Sequence, residues 1–309
     1  MKKFLIMNFL LIFIVLISLC TDIPNFPDIP FLNTPIQTGT SGIEISNEDI
    51  YINVDVLPSE VSGGGNVTLY FQIMNKANYN LEDVSLSLYD PCVFNDGNAK
   101  EKPIGQLKSN HTDTTFWTLT SKVITLTRDC KLKFAVSYRG NSTFFQDVVV
   151  LDQSEYNTRL YEGTLHNIPI RSSSSSSPLK VSSTFIEEQP LLDGSSSDVQ
   201  INYEYTGSGF IEVEAGGVSI TIPDNLEVST DLCKGDYNPP SGGVMTLKDS
   251  LKFINRKVSP STCTFIAKAS QLIDIKPLTI NANYKYTIDS SIPVRVKGTS
   301  TSSPKPYTE

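Results

Sequence analysis

Few side chains in this sequence are spaced for chemistry. There are two histidines, His111 and His166, both in loop-like sequence and far apart. No H-E-x-x-H, G-x-S-x-G, P-loop or dinucleotide fingerprint occurs. Ser177-Pro178-Leu179-Lys180 matches S-x-x-K, which needs its Ser and Lys on one helical turn; the internal proline and the preceding serines oppose a helix. Oxygen donors gather twice, at Asp90, Asn95, Asp96 and Asn98 and again at Asp231 and Asp236 around Cys233. A calcium ion takes roughly six to eight oxygens in a defined order. Neither group has the EF-hand spacing, and Asn-Asp-Gly turn chemistry accounts for the first. Trp117 offers a face for sugar stacking, but a core aromatic between sheets is the simpler role. The sequence therefore predicts no catalytic residue, no cofactor, no metal site and no enzyme.

The cysteines carry a clearer message. Cys20 closes the N-terminal apolar run, which leaves Cys92, Cys130, Cys233 and Cys263. No C-x-x-C occurs, which argues against a zinc or redox site. A long linker separates the four into two pairs, so Cys92–Cys130 and Cys233–Cys263 are the economical bridges. Each would close a loop of roughly 30–40 residues, worth on the order of 3–4 kcal/mol by the chain-entropy estimate. Such bridges belong to an oxidising compartment, and the N-terminus supplies the address. Lys2 and Lys3 precede a run from Phe4 to Leu19 that is apolar apart from Asn8 and Ser18. This is an export signal or anchor outside the fold, with the basic flank predicting a cytoplasmic N-terminus and everything after residue 20 outside. Three fates stay open: cleavage after Cys20, lipidation of Cys20 in the lipoprotein-box-like Ile17-Ser18-Leu19-Cys20, or an uncleaved anchor. Sequons at Asn66, Asn110 and Asn141 are candidate N-glycosylation sites. Asn141 lies in Arg139-Gly140-Asn141-Ser142, which reads as a hairpin tip.

Lys and Arg number 25 against 33 Asp and Glu, a net charge of −8, and no basic run occurs. Phosphate neutralisation needs clustered cations, so nucleic acid is excluded as a partner. Four prolines between residues 21 and 42 favour an extended tether. Six serines from Ser172 to Ser177 read as a flexible joint, and the segment after Lys297 as a disordered tail. Between them lie alternating runs. Val67, Leu69, Phe71 and Ile73 share one face, as do Val84, Leu86 and Leu88, and Leu132, Phe134 and Val136. The second body repeats the plan in Val199–Tyr205, Phe210–Glu214, Val218–Ile222, Leu251–Ile254, Cys263–Ala267, Leu278–Ile288 and Ile292–Val296. Only Ser154–Tyr161 is a helical candidate. The expected organisation is 1–20 signal or anchor, 21–43 tether, 44–152 first β-sandwich, 153–177 linker with serine hinge, 178–297 second β-sandwich and 298–309 tail. The class is all-β, two tandem antiparallel sandwiches following the N-terminal hydrophobic segment.

Tyr51–Pro58, then Gly65-Asn66-Val67-Thr68-Leu69, Asn75 and Asp83–Leu88 resemble the opening of CARDB-type (cell-adhesion-related) immunoglobulin-like domains. The second body is similar through Leu179-Lys180-Val181, Gln189-Pro190, Gly194 and Val199–Tyr205, and departs by lacking the Asn after its long strand. The resemblance implies immunoglobulin-like sandwiches in a prokaryotic envelope protein acting as spacer, stalk or adhesion unit. The expected protein is a non-catalytic, membrane-anchored surface module. It would lie outside the cytoplasmic membrane, with the membrane, other surface proteins or its own copies as partners. The alternative is a solute- or glycan-binding envelope lipoprotein.

Overall fold

The computed structural model describes residues 41–95, 101–229, 233 and 235–299. The apolar run, Cys20, nearly all of the tether and the tail beyond Thr299 lie outside these residues. The chain is mostly strand: β1 (Ser41–Ser46), β2 (Ile50–Leu57), β3 (Glu60–Ser62), β4 (Asn66–Asn75), β5 (Leu81–Asp90), β6 (Phe94–Asn95), β7 (Glu101–Leu107), β8 (Thr112–Ser121) and β9 (Arg128–Leu151). A helix, α1 (Gln153–Glu162), and a short 3-10 turn (Leu165–Asn167) follow. Then come β10 (Ser172–Ser174), β11 (Leu179–Phe185), β12 (Leu191–Leu192), β13 (Ser196–Tyr205), β14 (Phe210–Glu212), β15 (Val218–Thr221), β16 (Leu226–Val228), β17 (Val244–Thr246), β18 (Ser261–Ala267) and β19 (Ile273–Lys297). Alternation decides the inward face: β4 buries Val67, Leu69, Phe71 and Ile73, and β13 buries Val199, Ile201 and Tyr203. Leu251–Ile254, expected as a strand, forms only an isolated bridge at Ile254. The helix starts on Asp152, whose carboxylate accepts from Glu155 N at 2.7 Å, and stops at Gly163 in the left-handed region (φ 68°).

Three sheets result among the described residues. One runs β1-β2-β4-β8-β6, another β11-β13-β18-β16, and the large one β17-β15-β19-β9-β5-β7. The two halves thus share a strand order: β2-β4-β8-β6 matches β11-β13-β18-β16, and β7-β5-β9 matches β17-β15-β19. The short strands correspond as well. β3 lies parallel to β19, and β12 lies parallel to β9.

The division of labour differs from two bodies on a hinge. β9 spans 24 residues and pairs antiparallel with β19 throughout, from Leu151↔Ile273 to Arg128↔Val296. The first part of β9 pairs with β5 in the first half, and its last part meets β12 in the second. The first part of β19 pairs with β15 in the second half, and its last part meets β3 in the first. Each half therefore contains a strand segment delivered by the other, one hydrophobic core spans both, and the described residues belong to one compact unit. The serine run is not an open joint. Ser172–Ser174 form β10 beside Phe144–Gln146, Ser175 N donates to Thr143 O at 2.8 Å, and Ser177 is fully buried with Oγ donating to Leu179 O at 2.8 Å.

Arg139-Gly140-Asn141-Ser142 is correspondingly not a hairpin tip but the middle of β9. Its glycine serves a close approach. Tyr284 faces Gly140 across the ladder, and a Cβ there would lie 2.6 Å from the Tyr284 hydroxyl oxygen and 2.7 Å from the ring carbon that bears it. The tyrosine ring covers the bare backbone, as aromatics cover glycine in sheets.

Candidate functional site

The most concentrated polar chemistry sits where the β1–β2 turn meets the middle of the long ladder. Asn47-Glu48-Asp49 forms that turn. Asn47 Oδ1 accepts from Asp49 N at 2.9 Å and Ile50 N at 2.8 Å, an Asx turn that directs Asp49 inward. Asp49 is fully buried. Its Oδ1 accepts from the Tyr79 hydroxyl at 2.8 Å and its Oδ2 from the Tyr284 hydroxyl at 2.6 Å. The two hydroxyl oxygens are 3.0 Å apart. Asn47 Nδ2 donates to the Tyr138 hydroxyl at 3.0 Å, and Tyr138 stacks on Tyr286 with centroids 5.6 Å apart. The Tyr286 hydroxyl accepts from Gly209 N at 2.9 Å, and Thr206 Oγ1 donates to Glu48 Oε1 at 2.7 Å. The network joins the entry turn, β9, β19 and the 206–209 loop of the second half.

Burial dominates the electrostatics. It pushes the Asp49 carboxyl above the usual carboxylate range, against the lowering effect of the hydrogen bonds from Tyr284 and Tyr79. Burial, then the Asp49 charge, raises the Tyr284, Tyr79 and Tyr138 hydroxyls. Both carboxylate oxygens are occupied by tyrosines, Tyr79 ahead of β5 and Tyr284 on β19, so the arrangement fixes the turn to the ladder.

Two concavities flank this hub. One, of about 390 Å³, lies over the ladder's midpoint among Glu82, Arg139, Asn141, Glu214, Asn283 and Tyr284. The other, of about 380 Å³, has Tyr205, Phe210, Phe253 and Leu251 in its wall. Phe210 is 59% exposed there, and Tyr205 meets Phe253 edge-on at 5.3 Å. In the second half, Asn225 Oδ1 and Asp274 Oδ1 are buried without a protein donor.

The sequence-derived residues fall as follows. Cys92 bonds Cys130 and Cys233 bonds Cys263, with Cα atoms 5.9 and 4.7 Å apart. Both bridges lie within the pairs expected. Cys20 lies outside the described residues. Asn66 is exposed at the start of β4, and Asn110 is exposed in a turn at φ 55°. Asn141 is half-buried in mid-strand, with Nδ2 donating to Asn283 Oδ1 at 2.9 Å. Trp117 is buried and edge-on to Phe71 at 5.3 Å. Ser177 and Lys180 sit on no helix, since Lys180 belongs to β11. His166 Nδ1 lies 3.5 Å from Glu188, and no cluster of three metal-ligating side chains exists among the described residues. Asp90 pairs with Lys133 at 3.0 Å, while Asp96, Asn98 and Asp231 lie outside the described residues. Sequence reasoning missed Asp49 and its tyrosines; the alternate Tyr284 and Tyr286, with Tyr138, were the available signal.

Fold and site define an all-β, disulfide-bonded sandwich protein. No family model matches the chain, and no curated protein matches it. No helix among the described residues is long and apolar enough to cross a membrane.

Proposed function

We propose that this chain is an exported, membrane-anchored surface protein that acts as a structural, adhesion or protein-interaction module without catalytic activity. Lys2-Lys3 and the apolar run are its signal or anchor, and the body stands on the outer face of the membrane. The continuous β9–β19 ladder carries this reading. Its 24 pairs, at about 3.3 Å each, extend roughly 75–80 Å. Described chain enters at one end of it, since Ser41 lies opposite Val56 and the same end holds Val296↔Arg128. One shared ladder keeps the two ends of the body, near Leu151↔Ile273 and Val296↔Arg128, at a fixed separation. That geometry suits presentation of a surface to other envelope proteins or to copies of itself. The two disulfides fit an oxidising compartment.

We read each half as an immunoglobulin-like sandwich. The support is the repeated strand order, with one sheet in each half, of five strands in the first and four in the second, facing a second sheet whose last strand also takes a short parallel partner. In this reading the pair resembles CARDB-type modules in tandem whose final strands are exchanged within the chain.

The test is labelling of intact cells with a membrane-impermeant amine reagent, followed by peptide mapping. Lysines beyond residue 42 should be modified without lysis, and loss of the protein should impair attachment or envelope integrity. A soluble cytoplasmic pool, or turnover abolished by one Asp or Glu substitution, overturns the proposal. A second reading, glycan or solute binding, is favoured by one observation, the exposed Phe210 beside Tyr205 and Phe253. Glycan-array binding lost in Phe210→Ala would select it.

A further inference from the structure

The end of the molecule where the chain enters also carries its most exposed apolar loop. Between β8 and β9, residues 122–127 read Lys-Val-Ile-Thr-Leu-Thr. Val123 is 75% exposed and Leu126 80%, while Ile124 between them turns inward against the core. The loop is tied in place: Lys122 N donates to Val93 O at 2.9 Å and Thr299 N to Ile124 O at 2.8 Å. Leu57, 41% exposed, ends β2 at the same end, because β2, β4 and β8 pair in sequence through Leu57↔Thr68 and Asn66↔Thr120. A fixed loop that holds two aliphatic side chains in water offers a contact point.

Charge around this tip runs against the chain's overall sign. Lys122 and Arg128 flank the loop, and neither makes an ion pair among the described residues. Arg295 and Lys297 stand beside them, facing Glu60 and Asp129. Four cations thus meet two carboxylates at the tip, with Asp55 two residues back along β2, in a chain of net charge −8. Apolar side chains collared by lysine and arginine match the boundary between acyl chains and anionic headgroups.

Position selects the occupant. The opposite end also exposes apolar groups, Leu272 at 57% and Tyr161 at 93%. Only the Val123–Leu126 end receives the chain from the N-terminal side, at Ser41 opposite Val56. We infer that this tip docks on the lipid surface, with Val123 and Leu126 entering the headgroup–acyl boundary and Lys122 and Arg128 meeting anionic headgroups. The inference rests on the membrane-anchor reading above.

The test uses the full chain reconstituted into vesicles of phosphatidylcholine and phosphatidylglycerol brominated in the acyl chain. Leu126→Trp and, at the far end of the ladder, Leu272→Trp are compared with the parent, whose Trp117 is buried. Docking predicts that the added emission of Leu126→Trp is quenched and that of Leu272→Trp is not, and that Lys122→Glu with Arg128→Glu relieves the quenching. Flotation with the vesicles but no selective quenching of Leu126→Trp overturns docking while leaving the anchor standing. Failure to float overturns the anchor and the docking with it. A blue shift of Leu126→Trp in lipid-free detergent that grows with protein concentration assigns the tip to a second copy and likewise overturns a lipid partner.

Discussion

Gly140→Ala tests whether the two halves are locked by a close contact at the ladder's midpoint. The added Cβ would lie 2.6–2.9 Å from three atoms of the Tyr284 side chain. A phenol at the surface would swing aside at little cost. Tyr284 is 3% exposed and donates to Asp49 at 2.6 Å, so its ring has no vacant space to enter and a bond to lose. Overpacking costs about 1–3 kcal/mol, and leaving the buried Asp49 oxygen short of a donor about 1–3 kcal/mol more. Reduced backbone freedom in the unfolded chain returns roughly 0.4–1 kcal/mol. The expected net loss is about 2–4 kcal/mol, measured by guanidinium unfolding of the oxidised protein followed by circular dichroism. The decisive arm is the double mutant. In a Tyr284→Ala background the ring is absent, and Gly140→Ala should be neutral or slightly stabilising, giving a coupling of about 2–4 kcal/mol. If Gly140→Ala alone costs less than about 0.5 kcal/mol, the scale of an ordinary surface change, the contact does not constrain the ladder and the reasoning fails.

Three further outcomes follow from the same geometry. Burial holds the Asp49 carboxyl above its ordinary value. Its contribution is therefore full below the unfolded carboxyl value of about 4 and is lost as pH rises through the raised folded value; Asp49→Asn should flatten that limb in urea midpoints measured across pH, and an unchanged slope would count against the assignment. Replacing Cys92 and Cys130 together by serine, across a separation of 38 residues, should cost on the order of 3–4 kcal/mol in the same unfolding assay. Limited proteolysis of the native chain should spare residues 171–178, because Ser172–Ser174 are paired and Ser177 is buried; early cleavage there into two stable fragments would restore the hinge.

Much of the strand content was legible because period-two alternation reports the inward face wherever a strand is half-buried, as in β4 and β13. The cysteine pairs were legible because the linker separates them. The exchange of strand ends was not. A hairpin at Arg139–Ser142 and a straight strand through it bury the same alternate residues, so periodicity cannot tell them apart. Glycine between polar residues signals a turn when read locally, and the reason for this glycine lies at Tyr284, far along the chain. The polar neighbours are explained the same way: Asn141 bonds Asn283 at 2.9 Å and Thr143 bonds Asn281 at 2.9 Å across the ladder. Asp49 stayed hidden for a related reason, since its partners Tyr79 and Tyr284 are 30 and 235 residues away.

The straight course of β9 also explains the serines. A hairpin would have returned the chain to the first half, and a loose joint could then have led to the second. Instead β9 ends at Leu151, at the far end of the ladder, whereas β11 begins at Leu179 opposite Tyr205, one residue before Thr206, which bonds Glu48 of the entry turn. The linker must therefore travel back along β9 toward the middle. α1 reverses the chain with its capped ends, Arg171 pairs with Asp147 at 2.7 Å, and the serines run antiparallel beside Phe144–Gln146. Small side chains with hydroxyls suit such a return strand. Ser172–Ser174 lie exposed without covering the sheet with bulk, while Ser175 and Ser177 satisfy backbone groups as the strand turns inward to β11. A composition that reads as flexibility in isolation becomes an ordered strap because the exchanged ladder gives it an edge to follow.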